Sequence, residues 1–171
     1  MLGYNIRISG VKDGNHEYLF ELDNKFFDTF NSSEITNADI KVTSILNKDG
    51  HRLKINLQID GVIKSLLCDL CASEMDIKIS NSFSVLLKET EEYLEDTDEI
   101  IYIKSMQNEV DISHLIFEGI ELSIPSKREH SDEKDDKCDK DMMALLDKYA
   151  EKKETKNDPR WDGLNKLKDL I

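Results

Sequence analysis

The sequence predicts an α+β fold: an antiparallel, curved or barrel-like β-sheet in the N-terminal two-thirds, followed by C-terminal helices. Three observations carry this. Leu53, Ile55, Leu57 and Ile59 alternate with Lys54, Asn56 and Gln58, the period-two pattern of a strand with one buried face. Asp13-Gly14, Asp49-Gly50 and Asp60-Gly61 punctuate the same region as hairpin-turn pairs, because glycine accepts positive φ without steric cost. Beyond Ile103 the spacing turns helical, with Ile112, Leu115, Ile116 and Ile120 on one face.

Taken in order, Tyr4 to Ser9 and His16 to Leu22 read as paired strands joined through Asp13-Gly14. Asp23 can cap a short helix reaching Phe30, with Phe26, Phe27 and Phe30 facing inward. Asp39 to Asn47 turns at Asp49-Gly50 into Leu53 to Ile59, which turns at Asp60-Gly61 into Val62 to Leu67. A further alternating stretch carries Met75, Ile77, Ile79, Phe83, Val85 and Leu87, interrupted at Asn81. Lys88 to Glu99 holds seven acidic residues, the composition of a solvated loop, and Ile100 to Ile103 reads as an edge strand.

Asp111 is placed to cap the helix that follows, and Pro125 stops it. Ser126 to Asp141 is dense in charge and reads as a loop. Met142, Leu145, Leu146 and Tyr149 mark a second helix. A third starts at Asp158-Pro159 and carries Trp161, Leu164 and Leu167. The expected division is a sheet-rich domain over 1–125, with helix 111–124 packed on it, and a charged loop with a helical tail over 126–171.

Composition narrows the function. The 171 residues are long enough to bury a core, so wholesale disorder is not expected. No apolar run approaches the roughly 20 residues that cross a bilayer. Met1 to Gly10 lacks the basic-then-apolar order of a secretory signal. Three cysteines cannot make a fully paired disulfide framework, which points to the cytoplasm. With 23 basic and 36 acidic side chains, the formal charge of −13 opposes simple attraction to nucleic acid or an anionic membrane. It favours a basic partner, or a locally basic patch on an acidic body.

The motif with chemistry in it is Cys68-Asp69-Leu70-Cys71. A C-x-x-C turn lets two thiolates reach one metal ion, or lets two thiols close a disulfide. Its place between two predicted strands suits a zinc knuckle. A thioredoxin-like site should open a helix after a parallel strand, and Ala72-Ser73-Glu74 does not lead into helical spacing. Two unpaired thiols in a turn is the remaining reading.

A zinc site needs two more ligands. The candidates are Cys138 and one of His16, His51, His114 and His130, with Asp132, Asp135 and Asp136 as flanking carboxylates. His130 and Cys138 share one loop, which makes a Cys-Cys plus His-Cys set geometrically feasible. No nucleophile elbow, phosphate-binding loop, dinucleotide fingerprint or zinc-protease motif is present, so neither an enzyme nor a small-molecule substrate is expected. Lys127 and Arg128, with Arg160-Trp161 in the tail, are the candidate contacts to a partner or to RNA. Arg160 would set a cation beside a stacking ring. The competing reading anchors Trp161 on the core.

Three landmarks in this order resemble a known family: Cys68-Asp69-Leu70-Cys71 after paired strands, Glu118-Gly119-Ile120-Glu121-Leu122-Ser123-Ile124-Pro125 followed by His130 and Cys138, and Asp158-Pro159-Arg160-Trp161-Asp162-Gly163-Leu164 near the end. The chain is similar to the bacterial YceD family, the large ribosomal RNA subunit accumulation proteins, in the form typical of Bacteroidetes. The resemblance implies a non-enzymatic cytoplasmic factor for accumulation of large-subunit ribosomal RNA and for ribosome assembly, acting on ribosomal RNA or a basic ribosomal protein. It also implies a metal set at Cys68, Cys71, His130 and Cys138, taking one zinc ion. An acidic protein in that setting is suited to hold a basic ribosomal protein until delivery. The alternatives are a C-x-x-C thiol oxidoreductase and a zinc-stabilised interaction domain with no ribosome link.

Overall fold

The computed structural model describes residues 3–30, 35–130 and 138–150, and the chain divides into two compact units, Met1–Cys138 and Asp139–Ile171. The first unit is built on a five-stranded sheet of β2 (Gly14–Leu22), β3 (Asn37–Asp49), β4 (Arg52–Leu67), β5 (Glu74–Glu89) and β6 (Ile100–Ile103), in that spatial order. β2 to β5 form an antiparallel meander, and β6 adds in parallel to β5. The α+β architecture is as expected. The sheet is open, with β2 and β6 as its edges, so barrel closure does not occur.

Alternation builds the core. Ile40, Val42 and Leu46 of β3, Ile55, Leu57, Ile59 and Ile63 of β4, and Ile77, Ile79 and Val85 of β5 are all buried on one face. Asp49-Gly50 makes the β3–β4 turn, with Gly50 at φ 57°. Asp60-Gly61 is not a turn: β4 runs straight through it, with Gly61 opposite Ile40 on one side and Ile79 on the other. A Cβ at Gly61 would press on the Asp39 carbonyl and lie 2.6 Å from the Ile40 Cα. Glycine is there to let two backbones approach, not to reverse the chain. Likewise β5 is not interrupted at Asn81, which keeps the alternation and pairs with Ile59.

The hairpin expected between Tyr4 to Ser9 and His16 to Leu22 does not form either. β1 (Asn5–Arg7) pairs instead with β7 (Glu109–Asp111) in a separate two-stranded sheet. Gly10 at φ 72° and Gly14 at φ 127° redirect the chain between β1 and β2, and the buried Ile6 lies opposite Val110. Asp23 does cap α1 (Asn24–Thr29), accepting from the Lys25 N–H at 3.1 Å, and Phe26 and Phe27 enter the core.

α2 (Ser113–Glu121) lies on the sheet, and Gly119 sets how closely. A Cβ there would stand 2.8 Å from Ile59 Cδ1 and 3.0 Å from Phe83 Cζ. The Asn81 amide donates to the Gly119 carbonyl at 2.9 Å. Asp111 serves the helix one residue earlier than a standard cap, its carboxylate accepting from the Ser113 N–H at 2.8 Å, while Ile112 holds the cap position. The helix ends at Glu121, before Pro125.

In the second unit, α3 (Lys140–Tyr149) is capped by Asp139, which accepts from the N–H groups of Asp141 and Met142 at 2.9 Å. The helix expected after Asp158 lies outside the described residues, with Arg160 and Trp161.

Candidate metal centre

The centre begins with a misalignment in the sheet. Between the pairs Ile63–Ile77 and Leu66–Met75, β4 carries Lys64 and Ser65 where β5 carries only Asp76. That is a β-bulge: the extra residue changes which side chains face inward. Ser65 takes φ 57°, and its N–H donates to the Asp76 carboxylate at 3.2 Å. Without the bulge, the alternation that buries Ile63 would send Cys68 outward. With it, Leu66 and Cys68 both point into the core, 2% and 3% exposed.

The C-x-x-C turn then closes on itself. Cys68 N–H donates to the Ser73 carbonyl and Ala72 N–H to the Cys68 carbonyl, each at 2.9 Å, with Ala72 at φ 56°. Both cysteines are buried. The turn joins antiparallel β4 and β5 and opens no helix, which is not the setting of a thioredoxin-like dithiol.

Asp69, between the two cysteines, ties the later segment to this turn. Its N–H donates to the Arg128 carbonyl at 2.8 Å, and its carboxylate accepts the Arg128 N–H at 2.7 Å. The Arg128 guanidinium adds a contact at 3.5 Å. The backbone pairing places His130 over the turn. Sequence reasoning passed over Asp69; the signal was a carboxylate inside the C-x-x-C motif.

Four donors converge there. Cys68 and Cys138 sulfurs are 3.8 Å apart, and His130 Nδ1 lies 3.5 Å from Cys71 Sγ and 3.6 Å from Cys138 Sγ. All four ligand atoms fall within 4.8 Å of one another. The spacing can be tested against zinc chemistry. With Zn–S near 2.3 Å and Zn–N near 2.05 Å, tetrahedral ligation puts two sulfurs about 3.8 Å apart and a sulfur and a nitrogen about 3.6 Å apart. The donor set fits a tetrahedral ion, and these four residues could hold a metal such as zinc. Of the other histidines, His16 bonds the Lys12 carbonyl, His114 packs edge-on to Phe30, and His51 is exposed at the β3–β4 turn. Asp132, Asp135 and Asp136 lie outside the described residues.

The thiols are electrostatically unequal. Burial raises the Cys68 thiol, but N–H groups of Cys71, Leu70 and His130 outweigh it and hold Cys68 below the ordinary thiol range. Cys138 is pushed up to about 11 by desolvation and by the sulfurs of Cys68 and Cys71. One thiolate is favoured, and a second is resisted until a cation enters to neutralise the pair.

The family model described as "Large ribosomal RNA subunit accumulation protein YceD" matches residues 55–168, a span that contains all four donors. The chain belongs to the YceD family. Neither the curated proteins nor the solved structures include a match to it. The span opens within β4, so it takes in the bulge, the C-x-x-C turn, α2 and the His130–Cys138 segment of this YceD-family chain. No helix among the described residues is long and apolar enough to cross a membrane. Lys127 is exposed beside Glu129, and Arg128 is engaged with Asp69.

Proposed function

We propose that this protein is a non-catalytic cytoplasmic factor for accumulation of large-subunit ribosomal RNA and for ribosome assembly, acting on ribosomal RNA or a basic ribosomal protein. The observation that carries the reading is the family match over residues 55–168, named for that accumulation. In this reading Cys68, Cys71, His130 and Cys138 hold one zinc ion. Four protein ligands leave no open coordination position, the mark of a structural rather than a catalytic centre. The ion, when bound, cross-links the β4–β5 turn to the His130–Cys138 segment. Asp69 pre-positions that segment, and Lys127, Arg128, Arg160 and Trp161 are the proposed partner contacts, the Arg128 guanidinium also pairing with Asp69.

The test is to delete the gene and resolve ribosomal particles on a sucrose gradient. The expected result is a deficit of large subunits relative to small, restored by the wild-type chain. An unchanged profile with normal large-subunit RNA would sink the assembly reading.

A further inference from the structure

A second feature of the first unit lies on the α2 side of the sheet, built from residues other than the four donors. α2, β5, the half-buried Ile101 of β6 and the 96–98 segment enclose an open groove of about 690 Å³. Its floor is apolar, made by Phe83, Ile101 and Leu115, and Leu122, 82% exposed, extends one wall. Its rim is acidic: Asp96 and Asp98 come from the loop before β6, Asp111 and Glu118 from the α2 side. The lining contains no lysine or arginine.

Two of these carboxylates are held in place by backbone. Asp96 accepts from the Tyr102 N–H at 2.7 Å and Asp111 from the Ser113 N–H at 2.8 Å. The groove walls are equally fixed, since Gly119 seats α2 on Phe83 and Ile59, and Thr97 and Ile100 exchange backbone hydrogen bonds at 2.9 and 3.3 Å.

An apolar floor of this size inside a ring of one sign of charge selects its occupant. Phosphate is repelled by four carboxylates that no lysine or arginine in the lining offsets, His114 being the single basic side chain there, so a nucleic acid is disfavoured. The chain's own α3 has three acidic residues, Asp139 at its cap and Asp141 and Asp147 within it, against Lys140 and Lys148, so it offers no net positive charge. We propose that this groove docks a basic amphipathic segment of a partner protein, with an aliphatic or aromatic side chain on the Phe83–Leu115 floor and lysine or arginine at the rim. Naming a partner class in this way rests on the assembly reading above. The helix-in-groove mode gives the affinity to the apolar anchors and the selectivity and encounter rate to the charges.

The experiment uses the full-length protein and a fluorescein-labelled amphipathic peptide of leucine and lysine, read by anisotropy. Controls are the same peptide with every lysine replaced by glutamate, and a labelled single-stranded RNA. Asp98→Lys/Glu118→Lys and Leu122→Ser are the variants. All three altered residues are exposed, and circular dichroism checks that the sheet is retained. The leucine–lysine peptide is expected to bind the wild type, to bind the double charge reversal about ten-fold more weakly, and to weaken with salt. Leu122→Ser is expected to weaken binding without altering its salt dependence. The glutamate peptide is expected not to bind.

Equal binding of the basic peptide to the wild type and the double reversal overturns the proposal. So does RNA that competes for the groove, or a dimer in sedimentation that Leu122→Ser dissociates. These outcomes leave the assembly reading standing if cells lacking the gene still show the large-subunit deficit. A normal particle profile with peptide binding intact removes the assembly reading and the partner class drawn from it, and leaves the groove's preference for basic segments.

Discussion

At the scale of single residues, the centre depends on a side chain that binds no metal. Asp69 contributes a backbone donor, a carboxylate acceptor for the Arg128 N–H and a longer contact to the guanidinium. The guanidinium pair is partly solvated, so the backbone-directed bonds outweigh it. Asp69→Ala is expected to lower zinc affinity by about 10–100-fold while one ion per chain still binds at saturation. Competition against a chromophoric chelator measures this, and an unchanged affinity would assign Asp69 to the turn alone. The pH dependence follows from Cys138. Its thiol is pushed up to about 11, so at neutral pH it is protonated, and a zinc ion entering the proposed site would have to displace that proton. In the metal-free protein this raised value favours the neutral thiol, a contribution present below the ordinary thiol pKa and lost as pH rises through about 11. In the loaded protein the dependence reverses: affinity rises with pH by about a factor of ten per unit for each proton displaced. A pH indicator in weak buffer should record at least one proton released per zinc bound, and no release would contradict a protonated Cys138.

At the scale of elements, alternation was legible and register was not. The inward positions of β3, β4 and β5 follow from period two, because each side chain's face depends only on its neighbours along the strand. Gly61 and Asn81 were misread because local composition cannot distinguish a turn from a place where a neighbouring backbone presses close or a helix docks. The β1–β7 pair was missed because it joins distant parts of the chain, and Asp69 because its partner Arg128 is equally remote. The Cys and His positions were legible from motif and resemblance; the acidic groove was not, since its carboxylates are scattered over two segments. The bulge at Lys64 and Ser65 yields a prediction of its own. Inserting one residue between Met75 and Asp76 gives the extra β4 residue a partner, restores simple alternation from Ile63 and turns Leu66 and Cys68 to the outer face. The variant is expected to keep its strand signal in circular dichroism but bind no zinc at one equivalent and expose Cys68 to a maleimide in the metal-free state. A variant that still binds zinc with wild-type affinity would show that the C-x-x-C turn orients itself without the bulge.

At the scale of the whole molecule, the centre and the sheet make separable contributions to order. The first unit's core draws on residues from Tyr4 to Ile120, Cys68 and Cys71 among them, and its sheet is paired strand to strand. Between Pro125 and His130, the ties to the C-x-x-C turn include the Asp69–Arg128 bonds and the His130 contacts to the sulfurs. Removal of the proposed zinc ion would cost the segment that cross-link and leave the sheet its burial. Stability is distributed unevenly in such a case, and local opening precedes global unfolding. Chelation is expected to leave the far-ultraviolet strand signal unchanged and to make the bond after Arg128 cleavable by trypsin, whose backbone N–H and carbonyl are both tied to Asp69 when the segment is closed. Limited proteolysis with mass mapping, with and without zinc restored, decides it. Loss of the strand signal on chelation would mean that the ion supports the sheet itself. Equal protection of Arg128 in both states would mean that Asp69 alone suffices to hold the segment, and that the metal adds affinity for something other than order.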